Sequence, residues 1–343
     1  MPESHEVAGR SVLACLLLPA IGVVCAYLLL RVAVLPTIGY GYAERLIAIG
    51  ERLDTSMADQ PTAIFLGSSV VVEGIDASIV EDAAPGWRAL NFAINGCEIN
   101  EQRVMLDKVV AAQPRAVVLN LRPITMAMPG DIPAEKAYGY ALGGFPLSWR
   151  DDFTTEANLP LISEESLDRL TSSEFEAQLH FRRAPIQAMN DRVRRVVRRG
   201  LRSVPPDEFA LPNEMSDAIS GSTLDKHIGD IIDENIERTA SYPLPYGREL
   251  QFAIDTMIDA GVTPVLVITP QHPDVAPAIA EQTAALTSFV RVIGDNTGSV
   301  VLDAHDLVGA EGFADALHLG TSGRAALSEA IARVLSDLPE SES

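Results

Sequence analysis

The sequence predicts an α/β fold in which helices cover both faces of a parallel five-stranded sheet. Short apolar runs alternate with amphipathic segments of about 12 to 15 residues, which is the pattern of strand–helix–strand units. These runs are continuously apolar rather than alternating, as strands must be when both faces of their sheet are buried. Hydrophobic residues make up 47% of the 343, which is enough for a large core.

Each element follows from a local pattern. The predicted strands are the apolar runs at residues 63–66, 89–92, 116–121, 264–268 and 299–302. The predicted helices show apolar residues at helical spacing and lie at 100–112, 247–260, 277–290 and 321–335. Pro123 and Pro270 follow the third and fourth strands and end them, because proline cannot donate a ladder hydrogen bond.

The amino-terminal part of the chain predicts a membrane anchor. Residues 11–30 carry no charge, lie between Arg10 and Arg31, and as a helix would span about 30 Å. We interpret residues 11–35 as a transmembrane anchor that follows a cytoplasmic head at 1–10. A cleaved signal peptide is one alternative, although no clear small-x-small cleavage site follows the segment. A buried core helix is the other.

The short head and the long remainder predict that the amino terminus faces the cytoplasm and that the main domain is extracytoplasmic. Cys97 is then the one cysteine of three outside the membrane segment, which is compatible with an oxidising compartment. The chain contains no Asn-x-Ser/Thr sequon, and this favours a bacterial cytoplasmic membrane protein.

Two further segments lie outside the predicted core. Residues 38–60 predict a helical stalk, because apolar side chains recur there at helical spacing. Residues 126–246 are polar and rich in Pro and Gly, and we interpret them as an insertion or lid. Residues 182–202 hold eight Arg and one Asp, with a basic helix predicted at 187–202. That helix is a solvated surface, a contact for anionic lipid headgroups, or a guide for an anionic polymer or partner.

Short polar motifs follow the predicted strands, and in a parallel sheet such motifs meet at the carboxyl edge. Gly67-Ser68-Ser69 follows the first strand and offers Ser69 as a nucleophile whose own N–H faces a developing oxyanion. The segment from Asn91 to Gly96 follows the second strand, where the Gly96 N–H is a candidate second oxyanion donor.

A third motif, Asp315-Ala-Leu-His318, precedes the last helix. A carboxylate three residues before a histidine can accept a hydrogen bond from Nδ1 and leave Nε2 to take a serine proton. We therefore predict Ser69 as nucleophile, His318 as general base and Asp315 as the residue that orients it.

These motifs together resemble those of the SGNH/GDSL hydrolase superfamily. The family's Gly-Asp-Ser block matches Gly67-Ser68-Ser69 with Ser68 in place of Asp, and its Asn-x-x-x-x-Gly and Asp-x-x-His blocks match the other two motifs. The resemblance covers residues 62–125 and 247–336. It implies a three-layer α/β/α, flavodoxin-like core, formed here by residues 61–125 and 247–338.

One departure concerns the family's third block, Gly-x-Asn-Asp, whose Asn completes the oxyanion hole. The sequence after the third strand reads Leu-Arg-Pro-Ile-Thr and has no Asn. Ser68, Asn95 and Arg122 are candidates for the missing donor. Gln271 and His272 follow the fourth strand, either as substrate contacts or as polar residues of a Pro-rich surface loop.

The Gly-Ser-Ser block, the lost Asn and the anchor look like the membrane-bound branches that acylate envelope polymers, such as the D-alanyl-transfer proteins of teichoic acid and the alginate-acetylation type. The resemblance implies an acyl esterase or O-acyltransferase that acts on a cell-envelope polysaccharide or other polymer, including exopolysaccharide. A multi-span membrane protein would then be its acyl-donor partner. The alternative is a catalytically degenerate subunit for binding or assembly in such a system.

Other function classes find little support in the sequence. The 47 acidic and 26 basic residues give a net charge of −21, which argues against nucleic-acid binding. No phosphate-binding loop or dinucleotide motif is present. The six His show no metal-ligand spacing and the three Cys are too few for a four-Cys zinc site. We therefore predict no cofactor and no metal.

Overall fold

The computed structural model describes residues 41–126, 136, 139–140, 143–145, 209, 217–239 and 247–339. The predicted head and anchor at 1–35 and the predicted basic helix at 187–202 lie outside these residues. Among the helices that are described, none is both long enough and apolar enough to cross a bilayer.

One sheet of five parallel strands forms the centre of the domain, in the order β2-β1-β3-β4-β5. The strands are β1 (Thr62–Leu66), β2 (Arg88–Asn91), β3 (Ala116–Leu121), β4 (Thr263–Ile268) and β5 (Val300–Asp303). This confirms the predicted parallel sheet, and each predicted strand end is within one residue of the observed one. The order is that of flavodoxin-like folds, in which ligands bind at the carboxyl edge between β1 and β3, where the direction of winding reverses.

Helices cover both faces of the sheet and complete the three layers. They are α1 (Gly41–Leu53), α2 (Ser69–Gly74), α3 (Ala77–Ala83), α4 (Ile99–Ala111), α5 (Ser222–Thr239), α6 (Gly247–Asp259), α7 (Ala280–Thr297) and α8 (Thr321–Ser336). Helix α7 continues seven residues beyond the predicted end and stops at Gly298, whose φ of 74° is left-handed.

Two hydrophobic cores lie on opposite faces of the sheet because the side chains of each strand alternate between them. Ile64 and Leu66 point to the face covered by α1, α4, α6 and α7, whereas Ala63 and Phe65 point to the face covered by α2, α3 and α8. Fully burying one large aliphatic or aromatic side chain contributes about 1.5–3 kcal/mol. The two cores hold the carboxyl edge of the sheet as a rigid platform.

The segment at 38–60 is not a stalk, and this corrects the sequence-based prediction. Its helix α1 buries Leu46, Ile49 and Leu53 in the core against α4. The Met57 N–H also donates to the Ala112 carbonyl at 2.7 Å. The apolar stripe seen in the sequence therefore packs on the α/β domain, and this part of the chain belongs to it.

Helix α5, which belongs to the predicted insertion at 126–246, lies over the carboxyl edge of the sheet; we call it the roof helix. Ile231 packs in a small apolar cluster with Val275, Ile279 and Ala316, which follow β4 and β5. At its other end Arg238 pairs with Glu98 before α4. The roof helix thus contacts loops from opposite sides of the sheet and covers the edge where the polar motifs meet.

Candidate active site

The nucleophile candidate lies on a tight turn from β1 into α2. A Cβ atom at Gly67 would come within 2.5 Å of the Val71 side chain and 2.8 Å of Asn120 Cβ, so only glycine fits there. Ser68 caps α2, and its carbonyl accepts hydrogen bonds from the N–H groups of Val71 and Val72 in the first turn of that helix. Ser69 is the first helical residue, which places its N–H among the unbonded donors of a helix start.

Ser69, His318 and Asp315 form one hydrogen-bonded chain. The Ser69 hydroxyl lies 2.9 Å from His318 Nε2, and His318 Nδ1 lies 2.9 Å from Asp315 Oδ2. The other carboxylate oxygen, Oδ1, accepts the backbone N–H groups of Leu317 and His318, both at 2.7 Å. The carboxylate is therefore fixed to the loop and can hold the imidazole with its proton on Nδ1, leaving Nε2 to accept the serine proton.

Asp315 is ionised throughout the neutral range. Burial alone would raise its pKa, but the hydrogen bonds from the His318 ring and from the backbone N–H groups of His318 and Leu317 outweigh burial. Together they lower the pKa of Asp315 to about 2. A fixed negative charge beside Nδ1 stabilises the imidazolium that forms when Nε2 takes a proton.

Two carboxylates and a second histidine near the site were not found by sequence reasoning. Glu73 Oε1 lies 3.9 Å from His318 Nε2. Its position four residues after Ser69 on α2 was a readable signal, because residues i and i+4 share a helix face. On the roof helix, His227 Nδ1 lies 4.0 Å from Asp315 Oδ1, and Glu234 faces the charge of Arg122. No motif in the insertion indicated those two.

The turn after β2 lies beside the serine turn. The strand continues past its last residue, since the Ile94 N–H donates to the Gly67 carbonyl at 2.9 Å. Asn95 and Gly96 follow at once in an exposed turn, with Gly96 at a left-handed φ of 64°. Within the described part of the chain, the N–H groups of Ser69 and Gly96 donate no hydrogen bond. Both are therefore available to an oxyanion.

Asn91 has a structural part in this arrangement. Its side chain is buried, and Nδ2 donates to the carbonyls of Val71 and Ile75 at 2.9 and 3.1 Å. Its Oδ1 accepts the Ala93 N–H at 3.2 Å. These bonds tie α2, which carries the serine, to the end of β2 and so fix the two turns relative to each other.

A buried ionic cluster contacts the Gly96 turn through a hydrogen bond to its backbone. Lys136 Nζ donates to the Gly96 carbonyl at 2.8 Å and pairs with Glu101 at 3.0 Å. The Tyr140 hydroxyl adds a bond to Glu101 at 3.2 Å. Burial raises the pKa of Glu101, and the Lys136 ammonium opposes the shift. Burial likewise raises the pKa of the Cys97 thiol, so this thiol stays protonated at neutral pH.

The auxiliary candidates take different places. The structure does not bring Gln271 or His272 into hydrogen-bond contact with the serine, histidine and aspartate chain. The amide of Gln271 bonds to Thr283 on α7 at 3.0 and 3.1 Å, and His272 is buried with its ring 5.1 Å from that of Phe313. Both side chains are buried, so they are not the surface residues of the alternative interpretation, and their polar groups contact neighbouring protein atoms around the loop after β4.

Of the remaining three candidates, two lie in the turns after β1 and β2 and the third follows β3. Ser68 precedes the nucleophile candidate, Asn95 is exposed, and Arg122 is buried directly after β3. Among the residues that the structure describes, no group of three His, Cys, Asp or Glu side chains is placed to hold a metal ion.

Comparison with known proteins gives fold matches alone. No protein-family model matches the chain. No curated protein sequence matches it either.

The fold is similar to those of GDSL-like lipases and acylhydrolases. A GDSL-like lipase from Bacteroides thetaiotaomicron matches at 8% identity over 87% of this chain and 98% of its own, with a TM-score of 0.41. An acetylxylan esterase from Geobacillus stearothermophilus matches at 12% identity over 82% and 95%, with a TM-score of 0.40. A lipase/acylhydrolase from Enterococcus faecalis matches at 10% over 80% and 95%, at 0.39.

The TM-scores of these three matches are below 0.5 and their identities are at most 12%, so the functional conclusion rests on the geometry of this chain's own site.

Proposed function

We propose that this protein is a serine ester hydrolase or O-acyltransferase of the SGNH/GDSL type. One observation carries the proposal: His318 Nε2 lies 2.9 Å from the Ser69 hydroxyl while Nδ1 lies 2.9 Å from the ionised Asp315. This geometry activates a serine, because the base is within hydrogen-bond reach and a third group fixes its tautomer. An intact chain of three residues joined by two hydrogen bonds would have no use in a subunit that only binds or assembles.

The reaction follows from these contacts. Ser69 Oγ attacks the carbonyl carbon of an ester while its proton moves to His318 Nε2, and Asp315 stabilises the resulting imidazolium. The oxyanion accepts hydrogen bonds from the N–H groups of Ser69 and Gly96. When the intermediate collapses, His318 returns the proton to the leaving alkoxide and an acyl-serine remains. Water or an acceptor hydroxyl then repeats the sequence and releases the acyl group.

The amino-terminal segment and the departures from the family motifs bear on the location and the substrate of the protein. We infer a protein anchored in the bacterial cytoplasmic membrane by residues 11–30, with an extracytoplasmic domain that acts on a cell-envelope polysaccharide or polymer. The uncharged apolar segment supports the anchor. The Gly-Ser-Ser block without the usual Asn supports acyl transfer, with a multi-span membrane protein as the donor partner.

Hydrolysis of p-nitrophenyl acetate by the full-length chain in mild detergent tests the proposal. We expect Ser69→Ala to lower the rate by on the order of 10⁴-fold or more. Ser336→Ala is the matched control, because Ser336 bonds only within the end of α8, to the Ala332 carbonyl. Equal rates for Ser69→Ala and wild type would contradict the proposal. Adding a soluble oligosaccharide acceptor and analysing the products by mass spectrometry separates transfer from hydrolysis.

A further inference from the structure

Arg122 directly follows β3, and Ser69 follows β1, which is the neighbouring strand of the sheet. In the β1–β3 register Leu66 pairs with Leu119, so both residues lie just beyond the carboxyl ends of adjacent parallel strands, which are about 4.8 Å apart. The Arg122 charge also interacts with the carboxylate of Asp315, the residue that orients His318. The carboxyl edge between β1 and β3 is also the crevice where such folds bind their ligands.

The guanidinium of Arg122 has hydrogen-bond donors that the described residues leave unused. The residue is 8% exposed, and its side chain makes no hydrogen bond and no ion pair with any residue that the structure describes, while its nitrogens are not among the fully buried unbonded atoms. Arg103, which is equally buried, pairs with Glu249 at 3.1 Å. A largely buried cation whose N–H donors are unused can bind an anion that forms beside it.

The surroundings keep Arg122 charged and in place. Burial lowers its pKa to about 10, although the carboxylates of Glu234 and Asp315 raise it, so the group stays a cation at neutral pH. Thr125 fixes the backbone, because its hydroxyl bonds to both the N–H and the carbonyl of Arg122 at 2.9 Å. The charge is therefore held at the start of the loop after β3, under the roof helix.

We propose that Arg122 is a catalytic residue that donates its guanidinium N–H groups to the oxyanion of the tetrahedral intermediate. The inference rests on the proposed function. When Ser69 Oγ forms its bond to the carbonyl carbon, the π electron pair moves onto the carbonyl oxygen and the hydroxyl proton moves to His318. Arg122 then binds the oxygen, and on collapse the pair returns as the bond to the leaving alkoxide breaks. A charge-assisted bond is roughly twice as strong as a neutral one.

The other two candidates fit this role less well. The Asn95 side chain lies in an exposed turn, where water competes for its amide. Ser68 offers a neutral hydroxyl at the cap of α2. Arg122 alone among the three combines burial, positive charge and unused donors.

Kinetics with p-nitrophenyl acetate test this role, because that ester carries no charge for Arg122 to recognise. For Arg122→Met in the full-length chain we expect kcat to fall about 10²- to 10³-fold with KM changed less than about threefold. Millimolar guanidinium should restore part of the kcat of Arg122→Ala. Arg291→Met is the matched control, since Arg291 forms an exposed ion pair with Asp303 and should behave as wild type.

Thermal unfolding separates this role from a structural one. Removing an unpartnered buried cation should leave Tm unchanged or higher, whereas losing a structural contact would lower it. Wild-type kcat in Arg122→Met, or loss of kcat with a lowered Tm and no guanidinium rescue, overturns the inference while the proposed function stands. If Arg122→Met does not fold, Arg122→Ala decides, since a kcat equal to wild type in a variant that has no cation there would overturn the role. An inactive wild type overturns both proposals.

Discussion

Substituting Asp315 by Asn changes one atom at the point where the histidine tautomer is set. The amide oxygen of Asn can still accept the two backbone N–H bonds that Oδ1 accepts at 2.7 Å. Its NH₂ group replaces Oδ2, which lies 2.9 Å from His318 Nδ1. An NH₂ donor there requires Nδ1 to be the acceptor, so the ring proton moves to Nε2. Nε2 then faces Ser69 as a donor and cannot take its proton.

The two effects of Asp315→Asn differ in size. Activity should fall by on the order of 10⁴-fold, which is about 5.5 kcal/mol of activation free energy. Stability should fall by only about 1.5–3 kcal/mol, the range for losing one hydrogen bond to a charged group. Asp315→Ala should lower the free energy of unfolding by about 2–6 kcal/mol more than Asp315→Asn does, because it also leaves the N–H groups of Leu317 and His318 without an acceptor.

Initial rates of p-nitrophenyl acetate hydrolysis and urea denaturation measure these effects separately. The stability difference between wild type and Asp315→Asn has its own pH dependence. The pKa of Asp315 is lowered from 3.8 to about 2 in the folded protein, so its contribution is present above pH 3.8 and is lost as pH falls toward 2. A folded Asp315→Asn variant with more than a tenth of wild-type activity would refute the tautomer argument.

Two further predictions concern the support of the site and the amino-terminal segment. Glu101→Gln should lower the free energy of unfolding by about 3–5 kcal/mol, because Lys136 stays buried without its carboxylate partner. Urea denaturation measures this change. A loss below about 1 kcal/mol would contradict the prediction. The full-length chain should remain in the membrane pellet after alkaline carbonate extraction, and a chain lacking residues 1–37 should be released. Release of the full-length chain would count against the anchor.

The strands were predictable because a doubly covered parallel sheet demands continuous apolar runs, and 116–121 is such a run. The prediction of a stalk at residues 38–60 was wrong for a physical reason. Leu46 and Ile49 mark an apolar helix face, but sequence spacing does not say which surface that face covers. Only the packing against α4 shows that the helix belongs to the domain.

The triad geometry was accessible because its most restrictive part is local. An Asp three residues before a His on a short loop can reach Nδ1, and Asp315 does so at 2.9 Å. Ser69 and His318 then come together because segments that follow parallel strands gather at the carboxyl edge of the sheet. His227 and Glu234 were missed because they reach the site from the insertion, where no motif or strand end marked their positions.

Three candidate oxyanion donors were equivalent in the sequence, since polarity alone does not distinguish them. Burial is a property of the folded chain, and it separates Arg122 from the exposed Asn95. Gln271, another polar residue after a strand, is not free to face substrate. Its amide donates a hydrogen bond to Thr283, which lies 12 residues later on α7. Whether a polar residue at a strand end faces substrate therefore depends on contacts that spacing does not encode.

Labelling with a fluorophosphonate tests whether Ser69 is an activated nucleophile, because this probe reacts with serines that a base activates. We expect the full-length wild-type chain to be labelled, with the adduct found on Ser69 by peptide mass spectrometry, and we expect Ser69→Ala and His318→Ala to stay unlabelled. A folded wild-type chain that stays unlabelled, or an adduct on another serine, would refute the assignment of Ser69.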